Sequence, residues 1–411
     1  MSTNKEIKQD YWSYVKRQFK KNKRALFSFY IVLFMLFVAI FADFLANEKP
    51  IVCTYQGKTY FPVFKEYAVK LKLGQFPPEL NNIIWSDTKF DFALRAPIPY
   101  SPTSQDILNF GFVSPFGKQD VPSIRWRHWL GTEGIGRDIL SALIHGTRIA
   151  FIIGLISMSI ASFIGILLGS LAGFFGDTGI RISRGAFIMG IIALFFGFFY
   201  ANAFHKLFLG IFIIVIALAI GYLISRVLNK IPFLAVKTSI PIDIIVQRMI
   251  EILVSIPRLF LIIAIVAISK PSIFLVMVVI GLTSWTEIAR FIRAELLKIR
   301  SLEYIEASEA LGFPRWRILL KHAIPNALSP VLITIAFGIA AAILTESFLS
   351  FIGLGIPPET LTWGKLLSLA QGGKSQLWVA IFPGFAIFLT VTLFNLIGEG
   401  LTDALDPRQK K

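Results

Sequence analysis

The sequence predicts an all-α integral membrane protein that crosses the bilayer about eight times, and three observations carry that prediction. Hydrophobic residues fill 55% of the 411 positions and charged residues only 16%, too few to give so apolar a chain a polar surface. Several uninterrupted apolar runs reach or approach the ~20 residues that a helix needs to cross ~30 Å of hydrocarbon. The basic residues flank those runs instead of collecting on one soluble face, as the positive-inside rule requires.

Along the chain, residues 1–24 are polar and carry eight Lys or Arg. The apolar run 25–46 follows and is long enough to span. A secretory signal peptide is the rival reading, but the basic lead is long and no small-residue cleavage site follows it. Residues 47–148 form a mixed-charge segment rich in Pro, Tyr and Trp, too polar to be embedded. Further spans are predicted at 149–172, 186–204, 208–228, 248–268, 272–290, 327–351 and 378–400. The embedded region therefore covers 149–402, and 403–411 is a polar tail.

Charge sets the orientation. With the N-terminus cytoplasmic, the inside segments hold 24 Lys and Arg, and the short outside loops hold four: Lys206, Lys270, Lys365 and Lys374. The long 47–148 segment is exempt from the rule. Both termini are predicted to face the cytoplasm. The net charge of +16 therefore reflects sidedness and not nucleic-acid binding, which needs a basic face on a soluble surface. The single cysteine, Cys53, excludes an intrachain disulfide and reads as an incidental small residue. No His/Cys cluster has metal-ligand spacing.

Gly165, Gly169 and Gly173 recur every four residues, a spacing that lets another helix backbone approach closely. Arg258 follows Pro257 inside an apolar run. Eleven residues from Ser269 it would lie ~16 Å deep at 1.5 Å per residue, where an Arg costs at least ~2.5 kcal/mol. It is expected to face a translocation path, to pair with Glu251 or Glu346, or to snorkel to an interface.

The stretch EYIEASEALGFPRWRILLKHAIP (303–325) lies between two spans yet has a helical pattern. Gly312 can close a first helix in the left-handed conformation, and Pro314 suits the first turn of a second. Arg315, Trp316, Arg317 and Lys321 give the elbow a basic, aromatic surface. That surface fits either a docked partner or the lipid headgroups.

Here a resemblance enters. Glu306-Ala307-Ser308, then Gly312, then Ile324-Pro325 resembles the EAA motif of the permease subunits of ABC importers. Ser308 stands where the motif has a second Ala, and His322 where many members are aliphatic. HWLGTEGIGRDILSALIHGTRIA (128–150), GLTSWTEIARFIRAE (281–295), AAILTESFLSFIGLGIPP (341–358) and GEGLTDALDPR (398–408) resemble the dipeptide, oligopeptide and nickel branch. The insert LANEKPIVCTYQGKTYFPVF (45–64) resembles that of permeases related to microcin C and oligopeptide import.

The resemblance implies a type I ABC importer permease core of six spans, here with an inserted hairpin at 186–228. It implies a multi-pass protein of the bacterial inner membrane that forms half of a pathway for peptides or similar ligands. Its partners would be a second, homologous permease, two cytoplasmic ATP-binding subunits, an extracytoplasmic binding protein and the lipid bilayer. Glu306, Ala307, Ser308, Gly312, Arg315, Arg317 and Pro325 would form the coupling loop to the ATPases. The chain would bind no cofactor and catalyse no covalent step, ATP being used by its partners.

Two motifs read as decoys. Gly373-Lys374-Ser375 resembles the end of a phosphate-binding loop, but residue 368 is Ser where the motif needs Gly. Glu133, Arg137 and Asp138 could be a catalytic acid pair, or an Arg–Asp clasp or N-cap ahead of Ile139. The alternative functions are an ion-coupled transporter or channel without ATPases, with Glu251, Arg258 and Glu346 as relay candidates, and a membrane scaffold.

Overall fold

The computed structural model describes residues 13–81, 83–85, 88–203, 207–372 and 376–405. The Gly373-Lys374-Ser375 stretch, Lys206, residues 1–12 of the basic lead and the end of the last motif (406–408) lie outside them. Among the described residues, six helices are long and apolar enough to cross a membrane, or seven if one bent pair counts as a span. The eight-span expectation differs at one place. The run 248–268 is no straight helix: Ile242–Ser255 and Arg258–Ile268 meet at Pro257 with a 79° bend. The run 208–228 forms the helix Leu207–Leu228, whose 22 residues match the expected span in length. The protein is also not purely α-helical, because five short strands pair into two small sheets.

The chain divides into two units. The first comprises 1–165, 253–288 and 328–411. It contains a three-stranded antiparallel sheet with Val52–Tyr55 between Lys58–Tyr60 and Phe92–Leu94. Gln56 and Gly57 both take positive φ, 51° and 74°, the geometry of a tight hairpin turn. Helix Pro62–Lys70 packs beside the sheet. The spans of this unit share a dry core that includes Ile153, Ile262, Val266, Ile280, Ala342 and Leu349. Trp363 is buried against the span Ile139–Ser170, its Nε1 donating to Leu143 O at 3.1 Å. Glu346 is buried as well, accepting from Ser350 Oγ at 2.7 Å.

The long helix starts ten residues earlier than the apolar run predicts, at Ile139. Asp138 explains the start: its Oδ1 accepts from Ser141 N at 2.6 Å and caps the helix. Arg137 does not clasp Asp138. It donates to Glu133 Oε1 at 2.7 Å, while Asp138 Oδ2 takes His128 Nδ1 at 2.9 Å.

The second unit comprises 166–252 and 289–327. Helices Arg184–Ala203 and Leu207–Leu228 pack closely. A Cβ on Gly221 would meet Met189 O at 3.0 Å, which marks how near the backbones lie. Beneath them Arg181–Ser183 pairs antiparallel with Lys237–Ser239. This ribbon brings the two ends of the inserted hairpin together, so the hairpin leaves and returns at one place. Exposed Phe195, Phe198, Phe199 and Phe212 cover its outside, as a lipid-facing surface requires.

Candidate functional site

The stretch 303–325 folds as an elbow. Glu303–Ala310 is a helix with Glu303 and Glu306 in its first turn, where carboxylates are favourable to the helix dipole. It closes in a Schellman motif: Phe313 N donates to Ser308 O at 3.2 Å and Gly312 N to Glu309 O at 2.9 Å. Gly312 has φ +80°, and a Cβ there would meet nothing within 4 Å. Its glycine is thus required by backbone conformation and not by space. Pro314 is the N-cap of Arg315–Ile318, one position ahead of the first turn in which the sequence places it. A wider π-helical turn, Leu319–Ala323, leads into Ile324–Ala327.

Side chains fasten the bend. Glu309 and Arg315 form an ion pair of 3.3 Å across it, and the Arg317 guanidinium lies 4.8 Å from the centre of the Phe313 ring. The Trp316 ring meets that of Phe175, centroids 4.7 Å apart. Asn326 Nδ2 donates to the Tyr304 hydroxyl at 3.2 Å, tying the end of the elbow to its first helix. Ile305, Ile318 and Leu319 are buried. Outside that small interior the elbow is open, with Leu311 74%, Leu320 60% and Trp316 51% exposed.

The structure thus brings Glu306, Ala307, Ser308, Gly312, Arg315 and Arg317 onto one bend, with Pro325 in the short helix that leaves it. The surface is less basic than the sequence suggests. Its first helix carries Glu303, Glu306 and Glu309, and Arg315 and Arg317 are engaged within the elbow. Ser308, the departure from the motif, donates to Tyr304 O at 2.7 Å within its own helix.

Sequence reasoning missed a clamp in the same unit as the elbow. Arg293 grips Asp243 with two hydrogen bonds, Nε to Oδ1 at 2.5 Å and Nη2 to Oδ2 at 2.6 Å, a bidentate geometry with high directional specificity. No local signal joins residues 50 positions apart. The glycine spacing was legible: a Cβ on Gly169 would meet Ala289 O at 2.6 Å, and one on Gly173 would meet Arg293 O at 2.7 Å. In the first unit, Gly165 lies as close to Ile288 and Trp285.

Arg258 opens the helix Arg258–Ile268 directly after Pro257. A cation at a helix N-terminus opposes the dipole, so helix stability does not explain its presence. It lines a cavity of about 160 Å³ with Pro257, Leu261, Thr283 and Thr286. The carboxylate of Glu287 interacts with it electrostatically. Glu251 pairs with Arg248 at 2.5 Å, and Glu346 with the serine hydroxyls of its own helix. Among the described residues no group of three or more His, Cys, Asp or Glu is placed to hold a metal.

Comparison with known proteins agrees with this architecture. Residues 233–411 match the family model for the binding-protein-dependent transport system inner membrane component. Residues 10–61 match the N-terminal TM domain of oligopeptide transport permease C. The chain is 26% identical to the inner membrane ABC transporter permease protein YejE of Escherichia coli strain K12, covering 100% of this chain and 99% of that one. It is 26% identical to the peptidoglycan transport system permease protein YejE of Agrobacterium fabrum, over 96% and 92% of the two chains. Against the glutathione transport system permease protein GsiD of Pectobacterium atrosepticum identity is 31%, over 69% of this chain and 73% of the relative. The chain belongs to the binding-protein-dependent transport system inner membrane components, the multi-pass permease subunits of ABC importers in the bacterial inner membrane.

Proposed function

We propose that this permease forms half of a translocation pathway, beside a second homologous permease, and couples it to cytoplasmic ATPases through the elbow 303–325. The observation that carries the reading is the elbow itself: a bend of fixed geometry with a largely exposed apolar and charged surface. Leu311, Trp316 and Leu320 would enter grooves on two ATP-binding subunits. Closure of those subunits would then move the elbow as a rigid body and rock the spans between inward-open and outward-open states. This requires both termini and the elbow to be cytoplasmic, as the distribution of Lys and Arg implies.

An external binding protein would deliver the ligand to the opposite side. Relatives are named for peptidoglycan, dipeptide, oligopeptide and glutathione transport. This supports peptides or similar small ligands as cargo. ATP would be bound and spent by the partners, and this chain would carry no cofactor. Arg258, set in a helix break beside a small cavity, would hold a substrate carboxylate in passing.

Coupling is tested in vesicles carrying the assembled importer. Gly312→Val and Glu306→Lys should accumulate in the membrane normally while uptake no longer follows ATP hydrolysis. Normal uptake and substrate-stimulated hydrolysis in both variants would overturn the reading. Sidedness has its own test in a Cys53→Ser background. An impermeant thiol reagent added outside should label a cysteine at Ser375 and not one at Arg315, and the reverse pattern would contradict the orientation.

A further inference from the structure

The polar segment ahead of Ile139 encloses a cleft of about 760 Å³ that the coupling mechanism does not use. Its size falls within the ~300–1,000 Å³ typical of small-ligand sites. Trp85, Tyr100 and Trp126 line it, and with them Glu48, Asp106 and Asp120.

The aromatic walls are fixed before any ligand arrives. Trp85 stacks on Phe90, the planes 14° apart. Tyr100 donates its hydroxyl to Trp126 O at 2.6 Å and stacks on His128 at 4.2 Å. Arg95 braces the frame from behind, donating to Trp85 O at 2.7 Å and Glu48 O at 3.3 Å. Walls that need no reordering save the conformational cost that weakens binding.

The charged side chains that line the cleft are acidic, while the Arg95 guanidinium lies outside the lining, 5.2 Å from the centre of the Trp126 ring. No Lys, Arg or His is among the described residues that line it. Asp106 is already satisfied by Leu108 N, Asn109 Nδ2 and the ring of His128. Glu48 is not: among the described residues its half-buried carboxylate has neither ion pair nor hydrogen bond. The adjacent cation, Lys49, is committed to Glu66 at 3.0 Å. A carboxylate partly withdrawn from water, with only the electrostatic pull of Lys49 beside it, carries a desolvation cost that a bound cation would offset. Aromatic faces attract the same class of ligand.

We propose that this cleft binds a small organic cation, an alkylammonium or guanidinium group, through the Glu48 carboxylate and the face of Trp85. Asp120, exposed beside it, adds attraction at longer range. The proposal is independent of the docking role of the elbow, since capture by the isolated chain needs no ATPase. Two sources carry this chemistry: a basic or N-terminal group of a peptide, and the ammonium of a lipid headgroup.

The test is calorimetric titration of the full-length chain in an uncharged maltoside detergent. The probes are Ac-Ala-Lys-Ala-NH2, its norleucine analogue, and glycerophosphoethanolamine. The lysine peptide or the headgroup should bind at least about tenfold more tightly than the neutral peptide, the scale of one charge-assisted hydrogen bond. The tighter of the two identifies the source. Glu48→Gln should lose that margin, Asp120→Asn part of it, and Glu79→Gln, whose carboxylate pairs with Lys58 and is not in the lining, none. Unfolding midpoints report whether each variant is intact, and Asp120→Asn leaves the packed frame untouched. Equal affinity for the charged and neutral probes, or unchanged affinity in intact Glu48→Gln and Asp120→Asn, overturns the proposal.

Discussion

Gly169 and Gly312 are the same residue used for opposite reasons. At Gly169 a Cβ would stand 2.6 Å from Ala289 O, whereas at Gly312 it would meet nothing within 4 Å. The first glycine exists to remove a side chain, so that two helix backbones can touch. The second exists to permit φ +80°, so that one helix can end and another begin at an angle. The seam spends its small residues on contact inside the membrane region. The elbow leaves Leu311, Trp316 and Leu320 uncovered. A surface that pays for apolar exposure while holding its backbone rigid is one that expects a partner.

Breaking the seam should give the largest effect. Gly169→Val would press two methyl groups into the backbone of Ala289, and no flexible side chain is there to yield. Destabilisation should exceed about 3 kcal/mol, and membrane accumulation in a quantitative blot should fall sharply. Gly312→Val should cost about 1–3 kcal/mol of local strain. Accumulation should remain near normal while coupled uptake is lost, which separates the two glycines by phenotype.

A pH scan probes a third region with a different lever. Burial disfavours the charged form of His128, yet its hydrogen bonds and charge contacts with Asp138 and Asp106 outweigh that and raise its pKa above the ordinary 6.5. A raised histidine contributes stability that is complete below the unfolded value and is lost as pH climbs through the folded one. Burial and the same two carboxylates push the Tyr100 phenol upward, so it does not titrate between ~pH 6 and ~pH 9. Over that window the thermal midpoint should drop more in the parent protein than in His128→Gln. Equal slopes would contradict the assignment. The smallest effect on stability belongs to Glu306→Lys. It changes an exposed helical position and should shift the midpoint by less than about 0.5 kcal/mol, while uptake falls.

Much of this was legible in the sequence, for stated reasons. Apolar runs disclose spans because the bilayer demands them, and Gly312 with Pro314 disclosed a bend because few residues tolerate that backbone. Hydropathy marks the hydrocarbon-facing part of a helix and not its length. The helix Ile139–Ser170 accordingly begins before its predicted start, and Ile273–Ile299 runs past its predicted end. The run 248–268 reads as one span through Pro257, because proline is compatible with both a kink and a 79° turn. Pairs distant in sequence, such as Asp243 with Arg293 or His128 with Asp106, left no periodic trace. The aromatic cleft follows from such pairings and was invisible for the same reason.

The central claim is that the elbow docks a cytoplasmic ATPase, and a photo-crosslinker placed at Leu311 tests it most directly. Leu311 is 74% exposed, so the probe should not disturb the fold. Illumination of cells, followed by mass spectrometry of the adduct, should identify a nucleotide-binding subunit, and Glu306→Lys in the same chain should weaken that adduct. Adducts only with lipid, or with an extracytoplasmic protein, would contradict the account.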